Sequence, residues 1–145
     1  MLSPRILCTA VLFWSTAAQA LAGVATGDSE WRSDGEQIYQ NYCASCHGAK
    51  GEGMPDWQQP NAQGELPAPP HGPEGHTWKH SDAMLYRIVH DGWRDPFNKT
   101  KRLTMPAFGD RLRSIEIEAV VNYLKTLWTE EQRQFQEEES KGAPN

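Results

Sequence analysis

Apolar side chains recur at helical spacing in three stretches of this chain, and no stretch alternates apolar and polar positions as a β-strand would. The clearest stretch follows Ser114, which is placed to cap a helix. Its apolar stripe consists of Ile117, Val120, Val121, Leu124 and Leu127. A stripe with this spacing buries one face of a helix against the rest of a domain. The pattern therefore predicts an all-α fold.

Two further helices are predicted upstream. Ser33 can act as an N-cap, and Glu36, three positions later, would complete a capping box. Ile38 and Tyr42 then fall on one face of that helix, four residues apart. A second helix is predicted from Ser81 to about residue 90, with its apolar positions facing inward.

Two long irregular segments, residues 48–79 and 93–109, separate these helices, and the first is dense in Gly and Pro. Loops of this length are uncommon in a small domain unless they serve a function. Only 38% of the 145 residues are hydrophobic, so the unaided core would be thin. A large flat cofactor wrapped by the loops would supply the missing apolar surface.

The first 20 residues have the organisation of a signal peptide. Arg5 supplies the positive charge, residues 6–18 form the apolar run, and Ala18 and Ala20 give the small residues of a cleavage site. The run is too short for a good transmembrane helix. We therefore predict a periplasmic or otherwise exported protein with no stable membrane insertion after cleavage, membrane-associated only if the signal is retained.

The chain is long enough for one domain and not comfortably for two. Its net charge is -5, with 14 basic and 19 acidic residues, and the acidic excess lies towards the C-terminus. A nucleic-acid partner would call for a basic stripe, so we predict none. After the signal peptide (1–20), the predicted order is a flexible leader over 21–32, a domain over 33–128 and an acidic tail over 129–145.

Three residues carry the main chemical signal. Cys43 and Cys46 are separated by two residues and His47 follows at once, while the third cysteine, Cys8, would leave with the signal peptide. Two thiols at this spacing reach the two vinyl groups of haem, and the adjacent histidine is carried under the ring, where it can bind iron. The sequence predicts one haem c, covalently attached through Cys43 and Cys46, with His47 as an iron ligand.

Three other uses of the cysteines compete with haem. A thioredoxin-type redox pair would belong to a βαβ unit, which the pattern lacks. A structural disulfide would suit an exported protein. A zinc site would need further ligands, and His76 with His80 could supply them. The adjacent histidine and the helical context favour haem.

The second axial ligand of the haem iron decides whether the protein is an electron carrier or a haem enzyme or sensor. An iron with an open sixth position would suit a haem enzyme or a sensor, whereas two protein ligands limit the iron mainly to electron transfer. Met105 lies in an irregular segment beside Pro106, which fixes the local backbone. Met54 follows His47 by only seven residues and would have little slack to reach the opposite haem face. Methionine with histidine is a common ligand pair, so we predict Met105.

These residues make the chain resemble the class I cytochrome c family. The matching features are the 43–47 motif with Gly48, the glycines at 51 and 53, residues 105–108 and the final helix. The resemblance covers about residues 33–128. It implies three to five helices around one covalently bound haem, joined by long irregular loops. It also implies an electron transfer protein rather than an enzyme.

The resemblance further assigns packing and orienting roles. It implies that Gly35 lets the first and last helices approach closely, with Tyr123 at their crossing. It also implies that a proline carbonyl bonds Nδ1 of His47 and orients the ring. The candidate prolines are Pro67 and Pro55.

A weaker resemblance concerns residues 66–80, which are similar to a subgroup of bacterial cytochromes found beside copper-handling proteins. A copper-associated haem protein is therefore a further alternative. Its candidate ligands are His71, His76, His80 and His90. Hydrogen bonding to haem propionates or water is the simpler role for these histidines. The tryptophans that could line the haem pocket, or be buried as ordinary aromatics, are Trp57, Trp78 and Trp93.

The predicted function is that of a periplasmic one-electron carrier. We expect a monomer that meets redox partners, such as an oxidase, a reductase or a dehydrogenase, through small and weak interfaces. A basic group shortly before Met105 could steer an acidic partner, or could simply be a solvated cluster. That group consists of Lys99, Lys101 and Arg102.

Overall fold

The computed structural model describes residues 27–142, which form helices joined by long loops. Its α-helices are α1 (Gly27–Tyr42), α2 (Ala44–His47), α3 (Asp82–Asp91), α4 (Ser114–Lys125) and α5 (Glu130–Gly142), with a 3₁₀ turn over Thr77–Lys79. Within this range there is no β-strand, and an isolated bridge joins Trp93 to Met105. The prediction of an all-α fold is confirmed.

The most extensive helix–helix contact joins α1 to α4. At its centre Gly35 lies so close to Ala119 that an added Cβ would overlap the Ala119 carbonyl. The same Cβ would lie 3.0 Å from the Cβ of Tyr123. Tyr39 is fully buried beside them, with its ring centroid 5.2 Å from that of Tyr123. The close approach at Gly35 and the place of Tyr123 at the helix crossing are confirmed.

The start and the buried face of α1 differ from the prediction. The helix begins at Gly27 and runs through Ser33, so Ser33 is not its N-cap. The buried side carries Tyr39, whereas Tyr42 is 40% exposed. The contact through Gly35 explains this face, because side chains four residues apart lie above one another on a helix. Tyr39 therefore shares the side of Gly35 that meets α4.

Part of the predicted N-terminal organisation lies outside the described residues. This holds for the predicted signal peptide, residues 1–20, and for residues 21–26 of the predicted leader. The other leader residues, 27–32, belong to the first turns of α1. Between residues 27 and 142, none of the helices is long and apolar enough to span a membrane.

The starts of α3 and α4 illustrate two ways of satisfying backbone amides. In α3 the Ser81 hydroxyl accepts a hydrogen bond from the Met84 amide at 3.3 Å, as predicted. In α4 the N-cap is Arg113, whose amide donates to the Glu116 carboxylate at 2.8 Å. Ser114 is the first helical residue rather than the cap, because Glu116 reaches back past it. Four residues of the predicted α4 stripe are buried, namely Ile117, Val120, Val121 and Leu124.

The predicted acidic tail contains a docked helix. α5 packs against the 3₁₀ turn and α3. Gln136 is 2% exposed, and its amide donates to Asp82 Oδ1 at 2.6 Å and to the His80 carbonyl at 3.2 Å. Phe135 packs edge-on against Trp78 with ring centroids 5.5 Å apart. These contacts make α5 a separate packed helix rather than an extension of α4.

Candidate functional site

The two cysteines and the histidine lie on the single turn of α2, which directly follows α1 and has Cys43 as its N-cap. The His47 amide donates to the Cys43 carbonyl at 2.9 Å, which closes the turn between them. Cys43 is buried in the core and Cys46 is exposed, and both are free thiols. The turn therefore offers two sulfur atoms, one at the core and one at the surface, to a single group lying across it.

The protonation of Cys43 bears on the competing redox interpretation. Burial raises the pKa of the Cys43 thiol to about 11, and the neighbouring Cys46 adds to the shift. Cys43 is therefore protonated at neutral pH. A thioredoxin-type cysteine needs the opposite, a lowered pKa that yields a thiolate. Cys43 therefore lacks the thiolate character that the nucleophile of such a pair requires.

The ring of His47 is oriented by a backbone carbonyl. Its Nδ1 lies 2.9 Å from the carbonyl oxygen of Pro69, so Nδ1 donates and Nε2 is left for a metal. Burial lowers the pKa of His47, and the Pro69 carbonyl opposes that shift. The imidazole is thus neutral at pH 7, the form that binds metal ions. Pro67 and Pro55, the candidates from sequence, were wrong.

Pro69 reaches His47 because the loop folds back on the turn that follows the motif. Two backbone hydrogen bonds flank Pro69 and hold it in place. They join Met54 to Ala68 at 2.9 Å and His71 to Gly51 at 2.8 Å. The sequence alone could not select this proline, because the pairing depends on the conformation of a long loop rather than on any local pattern.

A second imidazole packs on the face of His47. The ring centroids of His47 and His71 lie 4.1 Å apart, and the ring planes differ by 26°. Nδ1 of His71 lies 2.9 Å from the Thr77 hydroxyl. Burial lowers the pKa of His71 well below its usual value, with His47 contributing, so this ring too is neutral. This contact could not be predicted from the sequence, because a pairing across a loop leaves no periodic signal.

Met105 is anchored to Trp93 by its backbone. The two residues exchange both main-chain hydrogen bonds at 3.0 Å, and the Met105 side chain packs against the core. Three residues further on, Phe108 packs edge-on against Tyr42, with ring centroids 6.3 Å apart. Because Tyr42 directly precedes Cys43, this contact brings the Met105 segment beside the turn that carries the cysteines.

A buried carboxylate ties the loop before Met105 to the loop after the motif. Glu65 is 8% exposed and accepts from Arg102 at 2.6 Å and from Asn61 at 3.1 Å. The Arg102 guanidinium, and then the Asn61 amide, hold the pKa of Glu65 below its usual value. Lys99 donates through Nζ to the Ala62 carbonyl at 3.1 Å. Two of the three basic residues predicted to steer a partner therefore also brace these loops.

Large apolar side chains are exposed in the same loops. They are Met54, Leu66, Trp93, Phe97 and Leu103, at 47%, 38%, 38%, 84% and 41%. Exposed apolar side chains gathered in one region commonly mark a ligand or partner site. Together with the two thiols and Nε2 of His47, they fit a haem, which needs apolar cover and a nitrogen ligand. The donor set of the site thus suits that cofactor.

The three tryptophans predicted as possible haem-pocket residues have different surroundings. Trp93 adjoins Met105 through the bridge already described. Trp78 donates through its indole nitrogen to the Gly75 carbonyl at 3.1 Å and contacts α5. Trp57 stacks on His76 with ring centroids 5.7 Å apart. Of the candidates for lining a haem pocket, Trp93 has the position that agrees best with the prediction.

The histidines proposed as zinc or copper ligands are in contact mainly with aromatic or acidic neighbours. The ring of His76 lies 5.3 Å from that of His80, in an edge-on arrangement. His90 bonds Asp91 through Nδ1 at 2.7 Å. In residues 27–142 no three His, Cys, Asp or Glu side chains are grouped so as to hold a metal ion.

The comparisons with known proteins agree with this geometry. A family model described as Cytochrome c matches residues 33–128, about two thirds of the chain. The chain therefore belongs to the cytochrome c family, and its five described helices agree with the all-α fold of that family. Searches of curated proteins and of solved structures gave no match. Family membership supports haem c binding and a role in electron transport.

Proposed function

We propose that this protein is an exported one-electron carrier, with a single haem c attached to Cys43 and Cys46 and ligated by His47 and Met105. The observation that carries the proposal is the orientation of His47. Its Nδ1 is bonded to the Pro69 carbonyl on the turn that also bears two free thiols. A histidine held this way presents Nε2, and the adjacent sulfur atoms fix the group to which it binds.

The residues of the chain have distinct tasks in this scheme. Cys43 and Cys46 would hold the haem through two thioether bonds, each formed by adding S–H across one vinyl group with no net oxidation or reduction. When bound, the haem supplies a ferric–ferrous couple that gains and loses one electron. The Met105 thioether favours the ferrous state and raises the potential relative to two histidines. Apolar side chains around the site act in the same direction.

We place this carrier in the periplasm as a class I, monomeric cytochrome. Support comes from the signal peptide predicted over 1–20 and from the family, whose members serve mainly as electron carriers. Its partners would be an oxidase, a reductase or a dehydrogenase, met through a small interface that releases quickly. Lys101 is exposed beside Lys99 and Arg102, and this positive rim would attract an acidic partner surface.

The absorption spectrum of the purified, oxidised holoprotein tests the ligation. Methionine bound to ferric haem gives a weak far-red band. We expect this band in the wild type, its loss in Met105→Ala and its retention in Met54→Ala, the matched control. A band that survives in Met105→Ala would contradict the assignment of Met105.

A wild type without the far-red band would contradict the proposed carrier more broadly. Tight carbon monoxide binding without denaturant would then identify the haem enzyme or sensor with an open sixth position. Carbon monoxide binding separates the carrier from the enzyme or sensor, because an iron whose sixth position is filled by methionine does not bind the added gas.

On the weaker resemblance of residues 66–80, we also propose an alternative function, a copper-associated haem protein in which His76 and His80 themselves bind copper. Titration of the haem-loaded chain with Cu²⁺ tests this proposal. This alternative predicts binding that is lost in His76→Ala, because His76 and His80 offer neighbouring imidazoles. An absence of binding, or binding unchanged in the variant, would contradict it.

A further inference from the structure

We propose that His71 is a positioning residue for His47: its ring fixes the plane of the His47 imidazole and thereby the orientation in which this ligand meets the haem iron. The inference rests on the proposed function, because it takes His47 as an iron ligand. It extends that function by assigning a role to a second imidazole, which touches the ligand without binding the metal.

A single hydrogen bond leaves the His47 ring free to tilt. The bond to Pro69 fixes the direction of Nδ1, yet carbonyl oxygens accept hydrogen bonds over a broad range of angles. The stacked ring of His71, with its centroid 4.1 Å away, removes this freedom. A tilt of His47 would drive its atoms into the neighbouring ring, and packed interiors resist such overlap. Together the two contacts fix both the direction and the plane of the ligand.

His71 is itself held from four parts of the chain. Its amide donates to the Gly51 carbonyl at 2.8 Å, and its carbonyl accepts from the Trp128 indole at 2.9 Å. Its Nδ1 lies 2.9 Å from the Thr77 hydroxyl. Tyr39 packs edge-on against the ring, with centroids 6.0 Å apart. The His71 ring therefore has a fixed orientation, and the His47 ring packs against its face.

Space filling alone would not require a histidine here. A leucine of similar size would bury comparable apolar area, but it would offer neither a flat face to His47 nor a polar edge to Thr77. The buried polar ring costs free energy unless its nitrogen is bonded, and the Thr77 hydroxyl meets that need. The arrangement therefore indicates a constraint on ring orientation in addition to packing.

The plane of the His47 ring can be measured in the ferric holoprotein. In a low-spin ferric haem the imidazole plane and the orientation of the methionine sulfur together select the iron orbital that carries the unpaired electron. A change in the His47 plane with the methionine unchanged therefore changes the order of the haem-methyl proton shifts in the NMR spectrum. We expect a crystal structure of the ferric holoprotein to keep the His47 plane close to parallel with that of His71, near the 26° observed. A plane closer to perpendicular would overturn the inference.

Substitutions then test whether His71 causes this orientation. We expect His71→Leu to change the order of the haem-methyl shifts, and His71→Phe, which keeps a flat ring, to preserve it. His76→Leu is the matched control, because its ring stacks on Trp57 instead of His47, and we expect the wild-type order.

An unchanged order in His71→Leu would overturn the inference, as would the same change in His71→Phe. If His71→Leu fails to load haem, the wild-type plane and the His71→Phe spectrum still decide it. Failure of the proposed function has a different signature, because the wild type itself would then lack the spectrum of a histidine–methionine haem.

Discussion

The two sides of the proposed haem site are held by different kinds of contact. On one side His47 is fixed by a backbone carbonyl and by an uncharged, stacked ring, both brought in by hydrogen bonds of the main chain. On the other side Met105 is anchored to Trp93 by main-chain hydrogen bonds, and its loop is also braced by the ion pair of Glu65 with Arg102. The contacts on the His47 side are all neutral, whereas those on the Met105 side include a charged pair near the surface.

This difference predicts that salt and denaturant weaken the Met105 side before the His47 side. Neutral contacts in the interior depend little on salt, whereas an ion pair near the surface is screened. The Arg102 side chain is 72% exposed, although the Glu65 carboxylate is almost covered. We therefore expect Met105 to leave the iron before His47 does, and His47 to stay bound until the fold unfolds.

The largest effect should come from Gly53→Ala, which strains the His47 side. Gly53 has a φ of 71°, and an added Cβ would lie 2.7 Å from the carbonyl carbon of Pro69. We expect the free energy of unfolding to fall by about 2 kcal/mol or more, as measured by denaturation of the holoprotein. Gly72→Ala is the control, because nothing lies within 4 Å of its Cβ. Equal losses in both variants would contradict the account.

A smaller effect is expected from Glu65→Gln, which loosens the Met105 side. The amide keeps the shape of Glu65 but loses the charge-assisted bonds to Arg102. We expect the far-red band to vanish at a lower denaturant concentration than in the wild type, while the helical signal changes little. Glu118→Gln, on the exposed face of α4, should behave as the wild type does. If the far-red band and the helical signal of Glu65→Gln disappeared at the same denaturant concentration, the Met105 side would not loosen separately from the rest of the fold.

Acidification should also weaken the Met105 side. Arg102 holds the pKa of Glu65 below its usual value, so the stabilisation is present above that usual value and is lost as pH falls through the folded-state pKa. We expect the far-red band of the wild type to fade below about pH 4, the usual range for a glutamate. The acid step should be smaller in Glu65→Gln. An identical step in both proteins would assign the acid sensitivity to another group.

The smallest effect should follow Lys99→Ala. Lys99 makes one exposed hydrogen bond, from Nζ to the Ala62 carbonyl at 3.1 Å. Surface substitutions of this kind change the free energy of unfolding by no more than about 0.5 kcal/mol. The measurement is the denaturation midpoint of the holoprotein, followed by the helical signal. A loss of unfolding free energy as large as that of Gly53→Ala would contradict this ranking, because it would show that one exposed lysine contributes as much to stability as the backbone at Gly53.

The features that could be predicted from the sequence depend on local spacing. The periodic stripe of α4 and the cap at Ser81 are decided by residues within one or two turns of helix. The cysteines and His47 share a turn for the same reason, since their separation along the chain is their separation in space. Gly35 was found through a family resemblance, because a contact between distant helices leaves no sign in either helix alone.

The features that escaped prediction depend on loop conformation. Pro69, rather than Pro67, bonds His47 because hydrogen bonds on either side of it fold the loop back. The pairing of Glu65 with Arg102 joins two loops far apart in sequence, so neither charge signals the other. The docking of α5 escaped for a similar reason, since Gln136 is polar by type and becomes buried only through its partners.

The most direct test of the central claim, that this chain fills both axial positions of one haem, is a redox titration of the holoprotein under carbon monoxide. The account predicts a one-electron transition whose spectra and midpoint are the same with and without the gas, at neutral pH and without denaturant. A carbon monoxide spectrum of the reduced protein, or a midpoint that shifts with the gas, would reveal an open sixth position and contradict the account.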